Sequence, residues 1–115
     1  MFGPQSIAVY MTVPPATSVA FTPPPSPASP QIPGASVLWT AAASGGTGSY
    51  EYKFWVKNPA GAWSVGKDYG IPGNTWTWDT TGLATGTYSV QVWARSAGST
   101  ATYEAYTSLM SYVIQ

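Results

Sequence analysis

Along residues 50–57, YEYKFWVK, the side chains sort by alternate positions: Tyr50, Tyr52, Phe54 and Val56 against Glu51, Lys53, Trp55 and Lys57. Successive strand side chains point to opposite faces, so the first set is expected inward and the second outward. The same period marks residues 87–95, TYSVQVWAR. There Tyr88, Val90, Val92 and Ala94 are expected inward, and Ser89, Gln91, Trp93 and Arg95 outward. TWTWDT at 75–80 alternates too, and its Trp76 and Trp78 share one face, read as core. Further strands are expected over residues 18–22, 36–43, 62–69 and 101–115, the last with a break near Thr107–Leu109. Ahead of them, SIAVYMTV (6–13) sets Ile7, Val9, Met11 and Val13 against Ser6, Ala8, Tyr10 and Thr12.

No segment carries an apolar stripe of helical period. Twelve Gly and eleven Pro punctuate the chain instead. The pattern predicts an all-β protein of about eight strands with turn signals roughly every 8–12 residues, as in a sandwich or small barrel. PPPSPASPQIPG, 23–34, is too Pro-rich for a central strand and is expected to run extended, as a spacer or along a sheet edge. The organisation expected is an N-terminal arm or extra strand over 1–17 and one domain over 18–115.

At 115 residues the chain can bury a real core. Aromatic residues make up 15% and charged residues 7%, the latter far below the roughly 25% of ordinary domains. Such a composition argues against disorder. Net charge is zero, and only Lys53, Lys57, Lys67 and Arg95 are basic, so no nucleic-acid partner is expected. No apolar run is long enough to span a bilayer, and no membrane insertion is expected. Few Lys and Glu stand where strand edges need guarding, which suits a packed assembly. There is no cysteine and hence no disulfide. The stretch MFGPQSIAVYMTVPP lacks a basic n-region and a continuous apolar core, so it does not read as an ordinary signal peptide.

The absence of histidine and cysteine removes Ser-His-Asp and Cys-His nucleophiles and the usual zinc ligands. The carboxylates Glu51, Asp68, Asp79 and Glu104 read as surface acids. DTTG at 79–82 is a strand-ending turn, and GGTGS at 45–49 lacks the Gly-Lys-Ser/Thr ending of a phosphate loop. Nothing in the spacing of Asp68 and Asp79 asks for calcium. The chain is expected to be no enzyme, with no catalytic residue, metal or cofactor.

SGGTGSYEYKFWVK (44–57), WTWDTTGLATGTYSVQVWAR (76–95), STATYEAY (99–106) and PASPQIPGASV (27–37) together resemble the immunoglobulin-like, fibronectin-III-like repeats of large secreted bacterial proteins. The resemblance covers roughly residues 18–115. It implies an immunoglobulin-like antiparallel β-sandwich of about 7–8 strands, acting as a spacer or binding module without catalysis. It also implies a tyrosine corner at Leu83, Gly86 and Tyr88, where a phenol pins nearby backbone. In such a sandwich 50–57 and 87–95 are neighbours in one sheet. Trp55 and Trp93 would then share its outer face with Lys53, Lys57, Gln91 and Arg95.

Exposed apolar faces of this kind mark interaction sites, whereas cross-strand aromatic pairs can also serve the sheet alone or lie beneath residues 1–17. The partners expected are other protein chains, including copies of this one, with carbohydrate stacked on the tryptophans as the alternative. The arm, through Ile7, Val9, Met11 and Val13, is expected to join an assembly by pairing with a sheet edge. The setting expected is extracellular or on a virion surface.

Overall fold

The computed structural model describes residues 13–115. The described residues form eight strands: β1 (Ala16–Phe21), β2 (Ser36–Gly45), β3 (Tyr50–Lys57), β4 (Trp63–Lys67), β5 (Thr75–Asp79), β6 (Gly86–Ser96), β7 (Ala105–Tyr106) and β8 (Met110–Ile114). No helix occurs among the described residues. One sheet has the order β1-β2-β5. The other has the order β4-β3-β6, with β7 and β8 both paired to the far side of β6. Every strand pair is antiparallel, and the fold is an all-β sandwich.

The alternation explains why two sheets close on one interior. Val37, Trp39 and Ala41 of β2 and Trp78 of β5 are buried from one side. Tyr52 and Phe54 of β3, Val90 and Val92 of β6, and Tyr112 and Ile114 of β8 are buried from the other. Across the two sheets, Trp39 meets Tyr112 at 5.7 Å between ring centroids, Trp78 meets Tyr88 at 5.2 Å and Phe21 meets Phe54 at 6.5 Å. With no disulfide, this aromatic packing holds the two sheets together, each large buried side chain contributing on the order of 3 kcal/mol before entropy.

β3 spans the expected 50–57, while β1 starts at Ala16, two residues ahead of the expected Ser18. The break near Thr107–Leu109 separates β7 from β8. Its cause is local. The Thr107 N–H still donates to the Val92 carbonyl at 3.1 Å, but the Val92 N–H finds the Thr107 hydroxyl oxygen at 3.2 Å in place of a ladder carbonyl. The Pro-rich stretch runs along sheet edges. Ser26 bridges to Leu38 of β2, and Gln31 bridges to Ile114 of β8, so one segment ties both sheets.

Lys67, at the end of β4, is buried. Its ammonium donates to the carbonyls of Pro72, Gly73 and Thr75 at 2.9, 3.1 and 2.7 Å, which pins the loop leading into β5. Burial pushes its pKa down. At the start of β6, the Tyr88 hydroxyl donates to the Ala84 carbonyl at 2.7 Å, and Leu83 packs against the core. Gly86 has φ +146°, and a Cβ there would lie 2.6 Å from the Pro59 ring, so no other residue fits without displacement.

The strand directions put chain entry and exit at opposite ends of the sandwich. β1 starts beside the β2–β3 turn, where the Ser96 hydroxyl donates to the Pro14 carbonyl and the Ala16 N–H donates to Glu104 at 2.9 Å. β8 finishes at the other end, with the β3–β4 turn and the β5–β6 loop. Of the expected arm residues, Ile7, Val9 and Met11 lie outside the described residues. Val13 is half-buried at the entry end, near Gly98.

Candidate functional site

β3 and β6 pair over eight positions in a row, from Tyr50↔Ser96 to Lys57↔Ser89. Paired residues of an antiparallel ladder share a face. The register therefore sets Glu51 beside Arg95, Lys53 beside Trp93, Trp55 beside Gln91 and Lys57 beside Ser89, all on the outside. All of Trp55, Trp93, Lys53, Lys57, Gln91 and Arg95 thus meet on one surface. They are half-buried rather than fully wet, because the rings and cations cover one another.

The rings form a row running across the strands. Trp55 and Trp93 are 5.1 Å apart at 54°, Trp93 and Tyr103 4.9 Å at 42°, and Tyr103 and Tyr106 5.5 Å at 88°. Trp63 and Val65 extend the row onto β4, opposite Lys57 and Trp55. The open members are Trp63, Val65, Tyr103 and Tyr106, 43%, 44%, 45% and 60% exposed. A depression of about 350 Å³ lies among Trp55, Trp63, Gln91 and Trp93. A second, of about 180 Å³, lies among Gln91, Trp93, Tyr103 and Tyr106.

The cations sit on the aromatic faces. The Lys53 ammonium is 4.8 Å from the Trp55 ring centre and 5.9 Å from that of Trp93, with Asp68 3.7 Å away. Lys57 lies 5.6 Å from Trp63. Arg95 stacks on Tyr69 at 4.0 Å, with its Nε 2.6 Å from Glu51 and its Nη1 donating to the Ala101 carbonyl at 2.8 Å. Ring quadrupoles attract such cations, so the positive charge is held flat against the sheet.

Tyr69 closes the Arg95 end of the row, its hydroxyl donating to the Thr102 carbonyl at 2.7 Å. Burial pushes its pKa up to about 12, against the opposing pull of Arg95. Gln91 is fixed from both sides: its amide nitrogen donates to the Thr107 carbonyl at 2.9 Å, and its oxygen accepts from Trp93 Nε1 at 3.3 Å. The Trp55 N–H is covered and has no acceptor among the described residues.

Carboxylates serve turns and joints. Glu104 accepts from the Ser99 hydroxyl and from the Ser96 and Ala16 N–H groups, and these hydrogen bonds hold its pKa below the usual range. Hydrogen bonding from Thr81 likewise lowers Asp79. No group of three or more His, Cys, Asp or Glu arranged for a metal occurs among the described residues.

Five members of the face were not among the sequence candidates: Trp63, Val65, Tyr69, Tyr103 and Tyr106. For Trp63 and Val65 a signal existed, since they alternate around Ser64 in the expected strand at 62–69. Tyr103 and Tyr106 stand three apart, out of strand period, and Tyr69 follows the β-bulge between Val65 and Lys67. Compared with models of known families, with curated proteins and with solved structures, the chain matches none.

Proposed function

We propose that the chain is a non-catalytic structural module that joins an extracellular or virion-surface assembly through protein–protein contacts, in the manner of an immunoglobulin-like, fibronectin-III-like bead. The observation that carries this reading is the aromatic row Trp63–Trp55–Trp93–Tyr103–Tyr106 on the outside of one sheet. Its open members expose on the order of 350 Å² of surface, given about 150–250 Å² for a whole aromatic side chain. Patches of roughly 300–600 Å² are often functional. Tyr and Trp beside cations, around shallow depressions, are also the composition of protein contact sites. Entry and exit at opposite ends suit a bead placed in series.

Stacked carbohydrate is the weaker reading. Trp55 and Trp93 are tilted by 54°, so they do not offer the flat platform on which a sugar chain stacks. The two readings separate in one experiment. Sedimentation velocity over a concentration series should show the full chain associating, with Trp63→Ser plus Tyr106→Ser weakening association about tenfold or more. A panel of immobilised polysaccharides should retain neither protein. Retention lost on Trp55→Ala or Trp93→Ala would instead establish the carbohydrate reading.

A further inference from the structure

The four open members of the aromatic face cover too little surface for a stable contact by themselves. Their open area of on the order of 350 Å² falls short of the roughly 800 Å² per partner that specific interfaces bury. A second apolar surface lies beside it, around the edge of the same sheet. A half-open cavity of about 520 Å³ sits at the exit end of the sandwich, between the β3–β4 turn and the β5–β6 loop. Val56, Trp78, Leu83 and Tyr88 supply apolar lining, with Ser64 and Thr85 also at its wall. β4 borders it, and among the described residues no strand pairs with the outer edge of β4.

An unpaired edge beside an apolar cavity fits one kind of guest, an extended segment with alternate apolar side chains. This chain carries such a segment in Ile7, Val9, Met11 and Val13 against Ser6, Ala8, Tyr10 and Thr12. The segment precedes β1, which starts at the end opposite the cavity. Residues 1–12 as a whole can span about 40 Å when extended, long enough to lie along a neighbouring molecule.

We propose that residues 1–12 of one copy seat along β4 of a second copy, with Ile7, Val9 and Met11 directed into the cavity. Donor and acceptor lie at opposite ends, so the contact is head to tail and repeats from copy to copy. The added area joins the aromatic face through Trp63 and Val65 and so enlarges one continuous interface. The proposal rests on the assembly reading above and names its partner as the chain itself.

The test uses full-length variants in sedimentation velocity. Val9→Asp with Met11→Asp removes the donor. Ser64→Lys puts an inward charge on the edge, and Thr85→Lys puts one on the β5–β6 loop that also lines the cavity. Ser64 and Thr85 are exposed, so each lysine is tolerated by the single molecule and is buried only by a seated strand. Each variant alone should associate at least about a hundredfold more weakly than the wild type. A mixture of the donor-blocked chain with Ser64→Lys should form a 1:1 pair, because one retains a cavity and the other a segment. Wild-type-like association of the donor-blocked chain, or of both lysine variants, would overturn the proposal, as would a mixture that stays monomeric. If association survives those changes but falls with Trp63→Ser plus Tyr106→Ser, the assembly reading stands and this inference alone fails. A wild type that is monomeric at every concentration removes both.

Discussion

On the outside of β1, β2 and β5 stand Ser18, Ala20, Leu38, Thr40, Ala42, Ser44, Thr75 and Thr77, with Leu38 the largest apolar group. On the outside of β3, β4, β6 and β7 stand Trp55, Trp63, Trp93 and Tyr106, interleaved with Lys53, Lys57 and Arg95. Both sheets bury the same kind of side chain inside, Trp39 and Trp78 on one and Phe54 and Tyr52 on the other. The inner faces follow from the need for a core. The outer faces do not, since small polar residues satisfy a solvated sheet equally well. An aromatic row on one exterior and threonines on the other fit the proposed contact role of the sheet that carries β3 and β6.

The largest effects should be alike in the two sheets. Trp39→Ala and Phe54→Ala should each destabilise by about 3–5 kcal/mol in chemical denaturation, because each empties a fully buried site. A tolerated loss at either position would break the claim of one shared interior. The outer faces should then part company. Trp93→Ala removes stacking on Trp55 and Tyr103 and should cost about 1–2 kcal/mol, whereas Thr77→Ala should stay within about 0.5 kcal/mol. Lys53→Met, which keeps the stem over the rings but removes the charge, should cost about 0.5–1 kcal/mol.

The smallest expected effect is on pH dependence, and its sign follows from Tyr69. A phenol whose folded pKa is raised from 10.0 to about 12 contributes stability that is fully present below pH 10.0 and is lost as pH rises toward 12. Denaturation midpoints should fall over that window, and Tyr69→Phe should flatten the decline. Glu104 acts at the other limb. Its lowered pKa contributes stability present above the ordinary value of 4.5 and lost as pH falls through the folded value, so Glu104→Gln should flatten the acid limb.

Strict alternation made β3, β5 and β6 legible and marked Trp55 and Trp93 as outward; that the two share one exterior was an expectation from the resemblance to an immunoglobulin-like sandwich, in which 50–57 and 87–95 are neighbours. The register between β3 and β6 made that placement concrete, since residues 53 and 93 are direct partners. Legibility stopped where the chain leaves strand period. Tyr103 and Tyr106 reach the row from either side of an irregular approach to β7, and Tyr69 reaches it after the bulge at Gly66, where a Cβ would strike the Trp76 ring. The Pro-rich stretch was readable as extended but not in its course. Its bridges at Ser26 and Gln31 depend on which edges lie near, and that is a property of the closed sandwich. The cavity between the β3–β4 turn and the β5–β6 loop was not legible, because its lining comes from four strands and two loops.

The most direct measurement sets one lysine on each exterior of the full chain, Tyr106→Lys and Thr77→Lys, and compares their self-association by sedimentation equilibrium. Both sites are exposed, so neither charge disturbs the interior. If the aromatic exterior is the contact surface, Tyr106→Lys weakens association about tenfold or more and Thr77→Lys leaves it at the wild-type value. Equal association of the two variants, at any strength, would contradict the account.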